Sequence, residues 1–136
     1  KRRLVQVAKE AIQVGLMEVK PFLPIGNMGH AIHMYIQSQG YSVVEEIGGH
    51  GVGLEFHEDP WVSYTAPRGS GEILLPGMVF TIEPMINMGA WQVEWLNDDW
   101  TVVTRDGSLS AHYENTVLIT KGEPEILSIR QTGECG

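Results

Sequence analysis

MVFTIEPMI, residues 78–86, is a run of β-forming residues that carries one carboxylate, Glu83. Alternation along a strand predicts that Val79, Thr81 and Glu83 share one face. Because an unpaired buried charge is costly, a buried Glu83 would be ion-paired or metal-bound. An exposed polar strand face explains the residue equally well when Glu83 is considered alone. Pro84 lacks a backbone donor and predicts an edge or a bulge directly after the carboxylate.

Two helices precede this strand and further strands follow it. Apolar residues recur at helical spacing from Leu4 to Val19, and Pro21 and Pro24 predict the end of that helix. Asn27 is the expected N-cap of a second helix that stops at Gly40. A chain in which helices come first and antiparallel strands follow is typical of the α+β class, in which the helices pack on one face of a sheet. Irregular backbone is expected at 47–60 and 66–71, and strands at 41–46, 100–104, 116–120 and 126–129.

Length and composition limit the functional classes. The 136 residues fit one domain, and the net charge is −8. This acidic balance argues against nucleic acid or an anionic membrane as the main partner, since both attract clustered Lys and Arg. No stretch approaches the roughly 20 apolar residues that a membrane span needs. A single cysteine, Cys135, excludes an internal disulfide and indicates a reducing, cytoplasmic location.

The segment HGVGLEFHEDP, residues 50–60, holds two histidines on glycine-rich backbone. Because glycine lets the chain turn sharply, His50 and His57 could both project into one cleft. Neutral imidazole and carboxylate are common metal ligands. A surface loop with two solvated histidines explains the spacing too, and spacing alone favours that simpler reading.

A second carboxylate opens a later strand. Glu114 begins ENTVLIT, another β-rich run, and so repeats the situation of Glu83. Two strand carboxylates and one imidazole suit a hard or borderline divalent cation. A bridging carboxylate could hold two such ions about 3.5–4 Å apart, as in two-metal hydrolases.

Three strings together resemble one family. GGHGVGLEFHEDPWV, PGMVFTIEPMI and SLSAHYENTVLIT are similar, in order, to the three C-terminal motifs of type I methionine aminopeptidases. The resemblance covers essentially the whole chain. It implies that residues 1–136 form the C-terminal half of a duplicated pita-bread (creatinase/aminopeptidase-like) fold, with two helices on a curved antiparallel sheet. The implied activity is metal-dependent removal of the initiator methionine from the N-terminus of nascent polypeptides.

The resemblance also implies the chemistry of the site. His50 and Glu83 would bind one ion, and Glu114 would bridge a pair of divalent ions, which could be Co, Mn, Fe or Zn. Glu83 would serve in addition as the general base. His57 would contact the scissile amide and its developing oxyanion without binding metal.

Two aromatic residues resemble walls of the pocket for the methionine side chain. They are Phe56 and Trp100, and aromatic faces suit an unbranched thioether. Core packing is the alternative role for both. Trp61, Trp91 and Trp95 are expected to be structural or surface residues.

The family's two aspartate ligands, which lie in an N-terminal motif, have no counterpart in this sequence. The chain also begins without Met, in what reads as the middle of a helix. We therefore expect a piece of a longer protein that lacks substantial aminopeptidase activity alone. Its apolar sheet edge and face should promote self-association or pairing with the missing N-terminal half.

Two alternatives remain open at this stage. One is an X-Pro aminopeptidase or dipeptidase of the same fold. Those relatives usually carry an R-I-E-D string, where this chain has residues 112–115, HYEN. The other is a non-catalytic binding module, against which the retained His50, Glu83 and Glu114 argue. No role is predicted for His112, and His30 and His33 are expected to be partly exposed helix residues.

Overall fold

The computed structural model describes residues 1–129 and begins with two helices, α1 (Arg2–Glu18) and α2 (Gly26–Ser38). The predicted apolar stripe of α1 is buried, and the helix ends before Pro21, as its ring requires. Helix α2 ends two residues before Gly40, whose φ of +80° is a conformation that glycine adopts readily. None of the helices in this part of the chain is long and apolar enough to cross a membrane.

The predicted N-cap of α2 is wrong. Ile25 occupies that position without a side-chain capping bond, and Asn27 lies inside the first turn. The Asn27 Oδ1 instead accepts a hydrogen bond from the Gly69 backbone N–H at 2.8 Å. The side chain therefore ties the 66–71 loop to α2, a tertiary use that local capping preferences do not reveal.

Ten short strands follow within residues 1–129. Their bounds are β1 Ser42–Val43, β2 Gly49–Gly51, β3 Glu58–Val62, β4 Val79–Ile82, β5 Met85–Asn87, β6 Val93–Trp95, β7 Val102–Thr104, β8 Ser110–His112, β9 Asn115–Leu118 and β10 Glu125–Ile126. The glycine-rich range 47–60, predicted to be irregular, contains β2 and the start of β3. The strand expected at 100–104 overlaps β7, which pairs with β6 in a two-stranded ribbon joined by a turn.

All strand pairs are antiparallel, as predicted. A five-stranded sheet has the order β10-β9-β4-β2-β3, and a three-stranded sheet has the order β1-β5-β8. Helix α1 contacts β5 and β8, and α2 contacts β1, so both helices cover the three-stranded sheet. The predicted α+β architecture is confirmed.

The two sheets share one bent pair of strands. Ile82 faces Asn115 in the β4–β9 ladder, and Met85 faces His112 in the β5–β8 ladder. Both pairs belong to the same register, which is interrupted only at 83–84 and 113–114. Pro84 has no N–H to donate to a ladder, which explains the break that the sequence predicted. That common register places Glu83 opposite Glu114.

The core lies between the helices and the sheets and depends on close backbone approach at α2. Its fully buried side chains include Ile12, Met28, Ile32, Phe80 and Ile86. A Cβ at Gly29 would lie 2.0 Å from the Ser63 carbonyl oxygen, so only glycine lets α2 approach that segment.

We expect Gly29→Ala to lower the free energy of unfolding by about 1–3 kcal/mol, because the clash is with backbone that must shift. The measurement is urea unfolding followed by circular dichroism. Gly122→Ala is the matched control, since a Cβ there would meet nothing within 4 Å. Equal stabilities of the two variants would contradict the proposed close packing.

Candidate metal centre

Three polar side chains from distant parts of the sequence converge at the break in the bent strand pair. They are His50 on β2, Glu83 after β4, and Glu114 before β9, and one ligand atom from each lies within 4.8 Å of the others. The pairing of β4 with both β2 and β9 brings them together. Two carboxylates that face each other across a strand pair repel unless a positive charge lies near them.

The orientation of His50 suits a metal ligand. Its Nδ1 lies 2.9 Å from the Gly51 carbonyl oxygen, which can only accept, so Nδ1 carries the proton. In the neutral ring, Nε2 then presents its lone pair toward Glu83 Oε1, 3.3 Å away. Two acceptors at this distance fit a shared cation. A backbone carbonyl that fixes the other ring nitrogen is the usual support of a ligating histidine.

Glu83 is held from several sides. Its residue is only 9% exposed, and Oε1 accepts a hydrogen bond from Thr81 Oγ1 at 2.7 Å. This bond confirms that Thr81 and Glu83 share a face. His112 Nε2 lies 3.4 Å from Oε2, and the Glu83 backbone N–H donates to the buried Tyr64 hydroxyl at 2.7 Å. The buried charge is thus paired.

These contacts set the ionisation of the carboxyl. Burial alone would raise the pKa of Glu83, but the contacts with His112 and Thr81 oppose it, and the pKa lies below its ordinary value. The contact with Glu83 raises the pKa of His112, although burial of the ring opposes this. Glu83 is therefore ionised near neutral pH, which is the form that binds a cation.

An aromatic cluster adjoins the three donors. The ring of His57 lies 4.2 Å from the His50 ring, centroid to centroid, and the Phe56 ring packs edge-on against His57 at 4.6 Å. His57 is not one of the three residues whose donor atoms converge. His50, His57 and Glu83 line a cleft of about 660 Å³, together with Ile47, Gly48, Glu58, Asp59 and Trp61.

The two expected pocket walls lie differently. Phe56 is 75% exposed but contacts the histidine cluster, whereas Trp100 is 83% exposed in the turn between β6 and β7. Neither is among the residues that line the cleft in the described part of the chain. Trp61 does line it, because β3 pairs it directly with His50.

Sequence reasoning missed the contributions of Trp61, Tyr64 and His112. Alternation offered one signal: His112 precedes Glu114 by two residues, so the two would share a face of a strand. Neither the pairing of Trp61 with His50 nor the contact of Tyr64 with Glu83 has a local sequence signal, because both depend on tertiary structure.

Three convergent donors of this kind form a candidate metal centre. The model of metallopeptidase family M24 matches residues 1–121, and the chain belongs to that family. Methionine aminopeptidase A of Synechocystis sp. is 45% identical over 127 residues, which are 93% of this chain and 50% of that protein.

Solved structures agree. The crystal structure of methionine aminopeptidase from Rickettsia prowazekii superposes with a TM-score of 0.91 at 42% identity, covering 94% of this chain and 52% of that one. Prolidase from Pyrococcus furiosus gives a TM-score of 0.71 at 27% identity, covering 96% and 33%. The chain spans about half the length of the curated relatives it matches.

We expect Glu83→Gln to weaken Co²⁺ binding by more than about 10-fold, since even outer partners of a metal site are worth that much. His57→Gln should change the affinity little. Isothermal titration of the 136-residue chain with excess Co²⁺ measures both. If the two variants lose affinity equally, His57 is a ligand and the three-donor assignment is wrong.

Proposed function

We propose that residues 1–136 are the C-terminal half of the catalytic domain of a methionine aminopeptidase, which removes the initiator methionine from nascent polypeptides. The observation that carries this is the convergence of His50, Glu83 and Glu114 on a fold that superposes with a methionine aminopeptidase at a TM-score of 0.91. Because ribosomes deliver nascent chains in the cytoplasm, this function places the protein there.

The mixed oxygen and nitrogen donors fit two divalent ions such as Co, Mn, Fe or Zn. His50, Glu83 and Glu114 would hold these ions, with Glu114 the proposed residue shared between them. Such ions would supply an activated water and polarise the scissile carbonyl. Glu83 would act as the general base, a role that suits an ionised carboxylate.

His57 is the proposed donor to the developing oxyanion. Its ring stands beside His50 in the cleft, outside the group of three donors. A neighbouring donor that binds no metal is free to stabilise charge on the reacting amide. The T-shaped contact with Phe56 holds the imidazole in place.

The methionine pocket is proposed at Phe56 and Trp100. Phe56 packs against His57 and therefore lies next to the reacting groups. Trp100 projects from the turn between β6 and β7 with most of its indole exposed, so its ring is available to a substrate side chain. Both rings offer a polarisable face to a thioether.

We expect Trp100→Ala to relax the preference for Met over Leu and Phe by about 1–3 kcal/mol of relative kcat/KM, the scale of discrimination in apolar pockets. The assay compares matched tripeptides on the complete enzyme. Trp95→Ala is the control, since Trp95 is also exposed and lies in the same ribbon. If the relative kcat/KM values for Met, Leu and Phe substrates do not change in Trp100→Ala, Trp100 is a surface residue without a role in the pocket.

A complementary half is the proposed partner of this chain. The chain spans about half of its curated relatives, and it exposes apolar side chains such as Leu54, Met17 and Phe22. Exposed apolar side chains of this kind tend to be covered by a partner. The N-terminal half would cover them and supply the missing aspartate ligands, and a second copy of the chain is the alternative.

The decisive assay uses the complete enzyme with Co²⁺ or Mn²⁺ on Met-Ala-Ser and on an X-Pro peptide. We expect turnover of Met-Ala-Ser alone, because similarity to methionine aminopeptidases exceeds similarity to prolidases. Cleavage of the X-Pro peptide instead would reassign the enzyme. Absence of both activities would favour a non-catalytic binding module.

The 136-residue chain by itself should turn over Met-Ala-Ser at least about tenfold more slowly, since the second ion depends on ligands outside it. The same assay tests this beside the complete enzyme. Comparable rates would mean that three ligands suffice for catalysis.

A further inference from the structure

We propose that His112 is a positioning residue that orients the carboxylate of Glu83 by holding its Oε2 atom. This inference rests on the proposed function, because it concerns the same site. His112 Nε2 lies 3.4 Å from Glu83 Oε2, a long contact in which the ring nitrogen can act as a donor toward the carboxylate oxygen.

The register of the strands brings His112 to this place. His112 ends β8 opposite Met85, and the ladder breaks directly afterwards, where Glu83 and Glu114 face each other. The imidazole therefore approaches the carboxylate from the β5–β8 side of the break. His50 approaches from the other sheet, on β2.

The two oxygens of Glu83 consequently have different partners. Oε1 lies 3.3 Å from His50 Nε2 and accepts from Thr81, whereas Oε2 meets only His112 among the polar contacts of the described residues. A carboxylate held at one oxygen cannot rotate freely, so Oε1 stays directed toward His50. Groups that orient a ligand in this way influence metal affinity without touching the metal.

His112 does not belong to the ligand set itself. The donor atoms that lie within 4.8 Å of one another come from His50, Glu83 and Glu114. The His112 side chain is 41% exposed, at the rim of the site, whereas the side chain of His50 is 13% exposed. His112 therefore contacts one of the proposed ligands, Glu83, and is not itself a ligand.

The first test needs no metal. In the ¹⁵N-histidine-labelled 136-residue chain, Glu83→Gln should shift the His112 Nε2 resonance, because the substitution removes the negative charge at its partner oxygen. The resonances of His30, which lies on α2, should stay in place and serve as the control. An unmoved His112 resonance would overturn the proposal.

The second test separates positioning from ligation. His112→Leu should weaken Co²⁺ binding by about 10–100-fold, and His112→Gln, which keeps a donor, should stay within about threefold of the unchanged chain. His30→Leu is the matched control, and equal urea midpoints of the two His112 variants exclude a merely structural effect.

Two outcomes of the titration would overturn the proposal. Unchanged affinity in His112→Leu would show that the contact does no positioning, and equal losses in the Leu and Gln variants would make the imidazole a ligand. If the complete enzyme fails on Met-Ala-Ser while both His112 results hold, only the proposed function falls.

Discussion

Two carboxylates that oppose each other at the break of a strand pair are the constraint on which the site depends. Glu83 and Glu114 face each other in a common register, and Glu83 is largely buried. Like charges in this position destabilise a sheet unless positive charge or donors compensate. The surrounding structure provides that compensation through Thr81 and His112. The polar contacts of the candidate metal centre thus also offset the repulsion between the two carboxylates.

Much of the fold could be predicted because its signals are local. Helical spacing located α1, and Pro84 marked the break between β4 and β5. The prediction failed where tertiary contacts override local preference. Asn27 serves the 66–71 loop rather than capping α2. In the glycine-rich 47–60 range, residues 49–51 and 58–60 pair as strands with close backbone approach at Gly49 and Gly51, whereas 52–57 is irregular as predicted.

The candidate site shows the same division. Motif strings indicated His50, Glu83 and Glu114, and alternation placed Thr81 beside Glu83. The position of Glu83 opposite Glu114 could not be predicted, because the sequence of one strand does not specify its register with a strand far away in the chain. Trp61 and Tyr64 were missed for the same reason: each reaches the site only through pairing or packing with a segment far away in the sequence.

The ribbon of β6 and β7 is an excursion from this ladder. Strands β5 and β8 pair directly, and the Met88 N–H donates to the Leu109 carbonyl at 2.8 Å, so the segment between them leaves and returns at nearly the same point. Such a segment can be lengthened, shortened or replaced without moving its anchors. The ribbon, including Trp100, can therefore change in sequence or length while Glu83 and Glu114 keep their positions. Changes in the ribbon are therefore uncoupled from the geometry of the candidate metal centre.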